Sequence, residues 1–244
     1  EISACLVGSE MCIRDSLYGV SVGPGDPELM TLKAVRCIEQ CPVLAAPQTA
    51  AGRMLALDIA KGAVDVSGKI ILPLHFAMSR DSEVLKASHA AAADAVRAHL
   101  DAGRDVALLN LGDVSIYATY GYLEEILTAQ GYAAVRIAGV PSFCAAAARL
   151  NQPLTGGMDA PLTIAPGSRA DEVLDAPGTK VLMKTGRQLP ALLDTLDAHG
   201  ALSRSALVCS CGLPDETIFP DLSTARPPQD GSKAGYFATV LVKE

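Results

Sequence analysis

The stretch Leu17-Tyr-Gly-Val-Ser-Val-Gly-Pro-Gly-Asp-Pro-Glu-Leu29 decides how this chain of 244 residues is read. An apolar strand over 17–22 runs into the turn Gly23-Pro24-Gly25-Asp26-Pro27, after which Leu29, Leu32, Val35 and Ile38 recur at helical spacing. Strand, glycine-rich turn and helix, in that order, is how α/β proteins build ligand sites at the ends of their strands. The turn does not match the common nucleotide cradles. A dinucleotide fingerprint needs a third glycine where Glu28 stands, and no Gly-Lys-Ser/Thr closes the turn as in a P-loop. Asp26 would also repel a pyrophosphate. On this motif alone, a phosphate cradle and a tight turn without a ligand both stay open.

The alternation continues on the C-terminal side. The first helix ends near Gln40, before Pro42; 43–46 reads as a second buried strand, 51–61 as helix, and 69–74 as a strand closed by Pro73. The Ala-rich segment 82–100 is composed of good helix formers and ends at Gly103. Segment 105–111 is almost continuously apolar, the pattern of a strand buried on both faces of a parallel sheet. A helix is predicted from about Ser115 to Ala129, a strand over 133–138 and a small-residue helix over 143–150. Three strands thus end in glycine turns, Gly23-Pro-Gly25, Gly112-Asp113 and Gly139-Val-Pro141, which a parallel sheet gathers along its carboxyl edge.

Pro153, Gly156 and Gly157 mark a linker over 151–158, and beyond it strands outnumber helices. Segments 161–165, 180–184, 206–210 and 236–242 read as strands, with one clear helix over 189–199 and a Pro-rich loop over 226–231. The expected fold class is α/β, with two α/β domains. An N-terminal domain over 17–150 has a mostly parallel sheet with crossover helices, and a C-terminal domain over 151–244 is a mixed-sheet α+β unit. The active-site cleft is expected between them. Residues 1–16 fit neither domain. They lack the basic start, apolar core and small-residue cleavage site of a signal peptide, and are read as a foreign or disordered leader.

Composition narrows the partners. A net charge of −7 argues against nucleic acid, which needs a basic face, but a cleft can still focus positive charge on an anionic small molecule. Trp is absent and no apolar run reaches the length of a membrane span, so no membrane partner is expected. Seven Cys in a chain this long do not suggest a disulfide framework. Cys209-Ser-Cys211 has one intervening residue rather than the two usual for zinc, and the four His are scattered, so no metal site is expected. Reduced thiols in a cytoplasmic protein are the simplest reading.

Several spaced blocks point the same way. They are Val20-Ser-Val-Gly-Pro-Gly-Asp-Pro-Glu-Leu-Met-Thr-Leu-Lys-Ala34, Leu109-Asn-Leu-Gly-Asp-Val-Ser-Ile-Tyr-Ala-Thr119, Ala138-Gly-Val-Pro-Ser-Phe143, Val181-Leu-Met-Lys184, Cys211-Gly-Leu-Pro-Asp-Glu216 and Gly235-Tyr-Phe-Ala-Thr-Val-Leu-Val-Lys243. In this order they resemble the signature blocks of the tetrapyrrole methylases, over residues 17–244. The resemblance implies an enzyme that uses S-adenosylmethionine to methylate a porphyrin-derived ring, releases S-adenosylhomocysteine and works as a homodimer. Within the family the blocks resemble the branch that methylates C-20 of precorrin-2 in cobalamin synthesis. Val114, where many relatives have Pro, leans toward the variant acting on the cobalt-loaded ring. Two turn positions depart from the pattern: Ala138 stands for Pro and Pro141 for Thr. The lost Thr hydroxyl removes a cofactor hydrogen bond worth about 1 kcal/mol, for which Ser142 is the nearest substitute.

Carried over by resemblance, the cofactor-binding positions are Pro24, Leu111, Gly112, Asp113, Ile116, Ser142, Phe143, Lys184 and Gly212. Asp113 is the catalytic candidate, either steadying the sulfonium or taking the proton lost from the methylated carbon; the alternative is that it caps the following helix. Tyr117, His75 and Arg80 are the substrate-binding candidates, with Arg149, Lys184 and Arg187 as further cations for the ring carboxylates. Tyr117 and His75 also fit purely structural roles. Three other functions stay open at this point: another corrin-pathway methylase, a nucleotide-dependent oxidoreductase, and a tetrapyrrole carrier without turnover.

Overall fold

The computed structural model describes residues 16–79, 81–185, 188–224 and 237–244. Arg80, Arg187, the leader up to residue 15 and the loop 226–231 lie outside the described residues. Contacts divide the chain into two compact units: one runs to Val22 and resumes over Thr31–Gly139, and the other comprises Gly23–Met30 and Val140–Glu244.

The first unit is a five-stranded, all-parallel sheet in the order β3-β2-β4-β1-β5. Its strands are β1 (Ser16–Ser21), β2 (Val43–Pro47), β3 (Ile70–Leu74), β4 (Val106–Asn110) and β5 (Ala133–Ile137). Its helices are α1 (Leu32–Gln40), α2 (Leu55–Lys61), α3 (Ser82–Leu100) and α4 (Tyr120–Thr128). Ser16, assigned to the leader by the sequence pattern, opens β1 and is fully buried. Every residue of β1 and β4 is buried, whereas the outer strands β3 and β5 carry exposed positions. That difference is why the central strands read as continuous apolar runs. Leu17, Val43, Val106 and Leu108 pack on Val96 and Leu100 of α3 and on Tyr120, Leu123 and Leu127 of α4. The alternate positions Leu44, Ala46, Ala107 and Leu109 are equally buried, where α1 and α2 pack on β1, β2 and β4.

Two helix starts differ from the sequence expectation. Helix does not begin at Leu29. Asp26 caps a single 3-10 turn over Pro27–Leu29, Met30 is extended, and α1 begins only after Thr31, whose hydroxyl accepts the Ala34 N–H at 3.2 Å. Likewise α4 begins at Tyr120 rather than near Ser115. Asp113 captures the Ser115 N–H at 2.8 Å, and Tyr117 takes the left-handed conformation (φ 49°), so the backbone of 115–119 cannot enter a helix.

The second unit is a mixed sheet in the order β6-β7-β10-β8-β9. Its strands are β6 (Leu162–Pro166), β7 (Thr179–Met183), β8 (Ser205–Cys209), β9 (Thr217–Phe219) and β10 (Ala238–Val242). Only β6 and β7 pair in parallel. Leu182, Leu207 and Val240 face the short α6 (Ala170–Val173) and the longer α7 (Leu189–Ala198). Val208 packs against Ala145 and Ala146 of α5 (Ser142–Arg149), joined by Leu29 from the first turn. Through these contacts α5 groups with the second unit, although the sequence linker at 151–158 suggested a boundary after it. The short β9 and α6 were absent from the sequence reading.

Candidate active site

Parallel pairing brings the ends of β4, β1 and β5 to one edge of the first sheet, with Ser21 opposite Asn110 and Val20 opposite Ile137. Side chains then lock the turns that leave these strands. The Ser21 hydroxyl donates to the Ile137 carbonyl at 2.7 Å and accepts the Val114 N–H at 2.9 Å. One Asp113 oxygen accepts the Gly139 N–H at 2.7 Å; the other takes both the N–H and the hydroxyl of Ser115. Thr31 adds a bond to the Ala138 carbonyl at 3.2 Å. The turns lie so close that a Cβ on Gly139 would sit 2.3 Å from the Ser21 Cβ and 2.9 Å from the Gly112 carbonyl oxygen. Only glycine fits there.

Asp113 is buried. Burial by itself would raise its pKa, but the bonds from Ser115 and Gly139, helped by the charge of Arg136, reverse this and hold the carboxyl below its ordinary value. A carboxylate that is stably ionised and accepts three hydrogen bonds is well suited to fixing turns. It is poorly suited to accepting a proton near neutral pH. It does not cap α4, whose cap position is Thr119; it closes the turn that precedes it, with Ile116 N–H reaching the Asp113 carbonyl at 3.1 Å.

The second unit has a cluster of its own. The turn of Gly23–Met30 lies against 211–213: a Cβ on Gly25 would stand 2.3 Å from the Cys211 carbonyl oxygen, and one on Gly212 would stand 2.6 Å from the Asp26 nitrogen. Glu216 braces this approach, accepting the Gly212 N–H at 2.7 Å and the Arg149 guanidinium at 3.1 Å. Pro24 is half-buried beside the buried Gly25. Ser142 opens α5 and shares a hydrogen bond of 3.2 Å with Thr239 on β10, while Phe143 is buried. The cap position of α5 is Pro141, which has no side chain able to accept the first helical N–H groups.

Lys184 and Ser210, the residues next after β7 and β8, hold left-handed conformations with φ of 55° and 50°, as do Tyr117 in the loop after β4 (49°) and Asn151 after α5 (50°). Such backbone is costly and tends to gather at functional sites. Gly112 and Gly212 share the same region of φ. Lys184 is exposed as a residue, yet desolvation draws its ammonium pKa below the usual lysine value.

Within the first unit, Leu111, Gly112, Asp113, Ile116 and Tyr117 share one loop, and Tyr117 is 45% exposed. His75 lies at the same carboxyl edge of the sheet but two strands away. It follows β3, the edge strand separated from β4 by β2, and is exposed. Arg149 is committed to Glu216. Sequence reasoning missed Ser21 and Glu216 as site-building residues, and found Gly25 and Gly139 only as members of glycine turns. A signal for Ser21 was available, since it is a hydroxyl near the end of an otherwise apolar strand.

The model of the tetrapyrrole (corrin/porphyrin) methylases matches residues 16–225. The chain belongs to this family. Among its relatives, precorrin-2 C(20)-methyltransferase of Sinorhizobium is 32% identical over 93% of this chain and 94% of that protein. The probable cobalt-precorrin-2 C(20)-methyltransferase of Methanocaldococcus jannaschii is 36% identical over 69% and 72%. Cobalamin biosynthesis protein CobIJ of Mycobacterium tuberculosis is 33% identical over 95% of this chain but 49% of its own length, so the chain spans about half of that relative. A uroporphyrin-III C-methyltransferase from Thermus thermophilus, solved with S-adenosylhomocysteine, shares the fold with a TM-score of 0.64. It is 20% identical, over 94% of this chain and 97% of that one. Among the described residues no helix is long and apolar enough to cross a membrane, and no group of three His, Cys, Asp or Glu is placed to hold a metal ion.

Proposed function

We propose that this chain is an S-adenosylmethionine-dependent methyltransferase that adds one methyl group to C-20 of precorrin-2 or of its cobalt complex. The observation that carries the reading is the match to a C(20)-methyltransferase along nearly the whole of both chains. The nucleotide-dependent oxidoreductase is not favoured, because the first turn lacks the third glycine and packs on Cys211 and Gly212.

The cofactor reading is supported by turns in which backbone is packed too closely for side chains, at Gly25, Gly139 and Gly212. It is also supported by the uncapped first turn of α5. The uncapped turn of α5 offers main-chain donors to a ligand, while the Gly139 and Gly212 N–H groups are held by Asp113 and Glu216 and fix the turns around it. The bound cofactor supplies a methyl group already activated on a sulfonium, so no protein nucleophile is needed. The protein's contribution is then alignment, worth roughly 7–11 kcal/mol when reacting atoms are held near contact. In this reading Gly112, Leu111 and Ile116 present main chain from a loop that Asp113 fixes, and Ser142, Phe143 and Gly212 do so from the second unit. Asp113 stays ionised and does not take the proton that leaves C-20. Lys184, with its weakened hold on its proton, faces an anionic group of the cofactor or ring, and Tyr117 contacts the ring.

The test is anaerobic incubation with S-adenosylmethionine and either precorrin-2 or its cobalt complex, with the product read by mass. Gain of one methyl is expected. No gain on either ring rejects the function, and gain only on the metal-free ring rejects the cobalt-loaded assignment that Val114 suggests.

A further inference from the structure

Ser21 contributes to no ligand position named so far, yet it is fully buried where three strand ends meet. β1 lies between β4 and β5, and the Ser21 hydroxyl ties the turn beyond β4, through Val114 N–H, to the end of β5, through the Ile137 carbonyl. A hydroxyl is the smallest side-chain group that donates and accepts at once; a carboxylate only accepts, and an ammonium only donates. Nothing much larger fits, because the space where a Cβ of Gly139 would lie is already within 2.3 Å of the Ser21 Cβ. Asp113 spans the same two turns directly, through Gly139 N–H. The loop carrying Leu111, Gly112 and Asp113 is therefore held at two points. Ser21 is the side chain that ties it to β1, beside the backbone bond from Val22 N–H to the Asn110 carbonyl at 2.9 Å.

We propose that Ser21 is a positioning residue for the cofactor: its hydroxyl sets the spacing of the 111–114 and 137–139 turns so that their main-chain groups meet S-adenosylmethionine in register. This rests on the methyltransferase reading. Without the hydroxyl, the Asp113–Gly139 bridge still joins the turns to each other, but they shift relative to β1 without unfolding. The effect therefore falls on cofactor binding rather than on the ring.

The experiment compares wild type with Ser21→Ala, Ser21→Cys and Val96→Ala, the last removing core volume on α3 away from the turns. Calorimetry with S-adenosylhomocysteine is run beside steady-state kinetics and thermal unfolding. Ser21→Ala is expected to weaken S-adenosylhomocysteine binding about tenfold, equivalent to about 1.4 kcal/mol. Its KM for S-adenosylmethionine should rise in step. Its kcat at saturating cofactor and its KM for the tetrapyrrole should stay within about twofold of wild type. Ser21→Cys, with a weak donor and acceptor in the same place, should fall between the two. Val96→Ala should lose stability and keep its affinity. Wild-type affinity in Ser21→Ala overturns this proposal alone, as does an equal loss in Val96→Ala. No binding by wild type overturns the methyltransferase reading and this proposal with it.

Discussion

Asp113 owes its character to its neighbours. Desolvation pushes its pKa up, and the donors from Ser115 and Gly139 with the charge of Arg136 push it down further. The folded-state pKa is therefore below the unfolded value near 3.8, so the carboxylate adds stability above that value and loses it as pH falls through the folded pKa. Asp113→Asn should unfold at lower temperature than wild type at neutral pH, and the gap should close as the pH is taken below about 4. Thermal melts across that range check this; a gap that stays constant would mean the charge is not what matters. Gly139→Ala should cost about 1–3 kcal/mol in urea unfolding, because its methyl has to displace Ser21. Asp113 could be picked out in sequence as a polar residue directly after an apolar strand. Gly139 read only as a turn residue, because its need to lack a Cβ comes from Ser21, which is distant in sequence.

At the scale of elements, the central strands were legible because burial on both faces makes the whole run apolar, as in β4. The long α3 was legible to the residue, since Asp81 caps it and Ala-rich composition fills it. The start of α4 was not. Ser115-Ile-Tyr-Ala-Thr119 contains no helix breaker, and what prevents helix there is the Asp113 bond to Ser115 and the conformation of Tyr117. The three-residue β9 lies exposed at a sheet edge and leaves no periodic trace. Thr31 caps α1 and also bonds the Ala138 carbonyl, so Thr31→Val should lower stability by about 1 kcal/mol, read from the urea midpoint. The loop around Gly212 offers a test of a brace: Glu216→Ala should weaken S-adenosylhomocysteine binding several-fold, whereas Glu216→Gln, which keeps an acceptor for Gly212 N–H, should retain most of it. Equal losses in both would assign the effect to the Arg149 charge pair instead.

At the scale of the molecule, the two-domain α/β plan was legible from the change in element pattern near 150, and the sheets are as expected, one parallel and one mixed. Sequence could not show that Gly23–Met30 groups with the second unit, because that depends on Gly25 meeting Cys211 almost two hundred residues later. The candidates for binding the ring were the least legible. They are ordinary Arg and Lys, and of these Arg149 proves to be paired with Glu216. The defining property of the proposed enzyme is where the methyl group goes. S-adenosylmethionine carrying an isotopically labelled methyl, incubated anaerobically with this protein and precorrin-2 or its cobalt complex, allows the product to be read by carbon NMR. A single new labelled methyl on C-20 is the predicted result; label at another ring carbon, or no transfer to either ring, would contradict it.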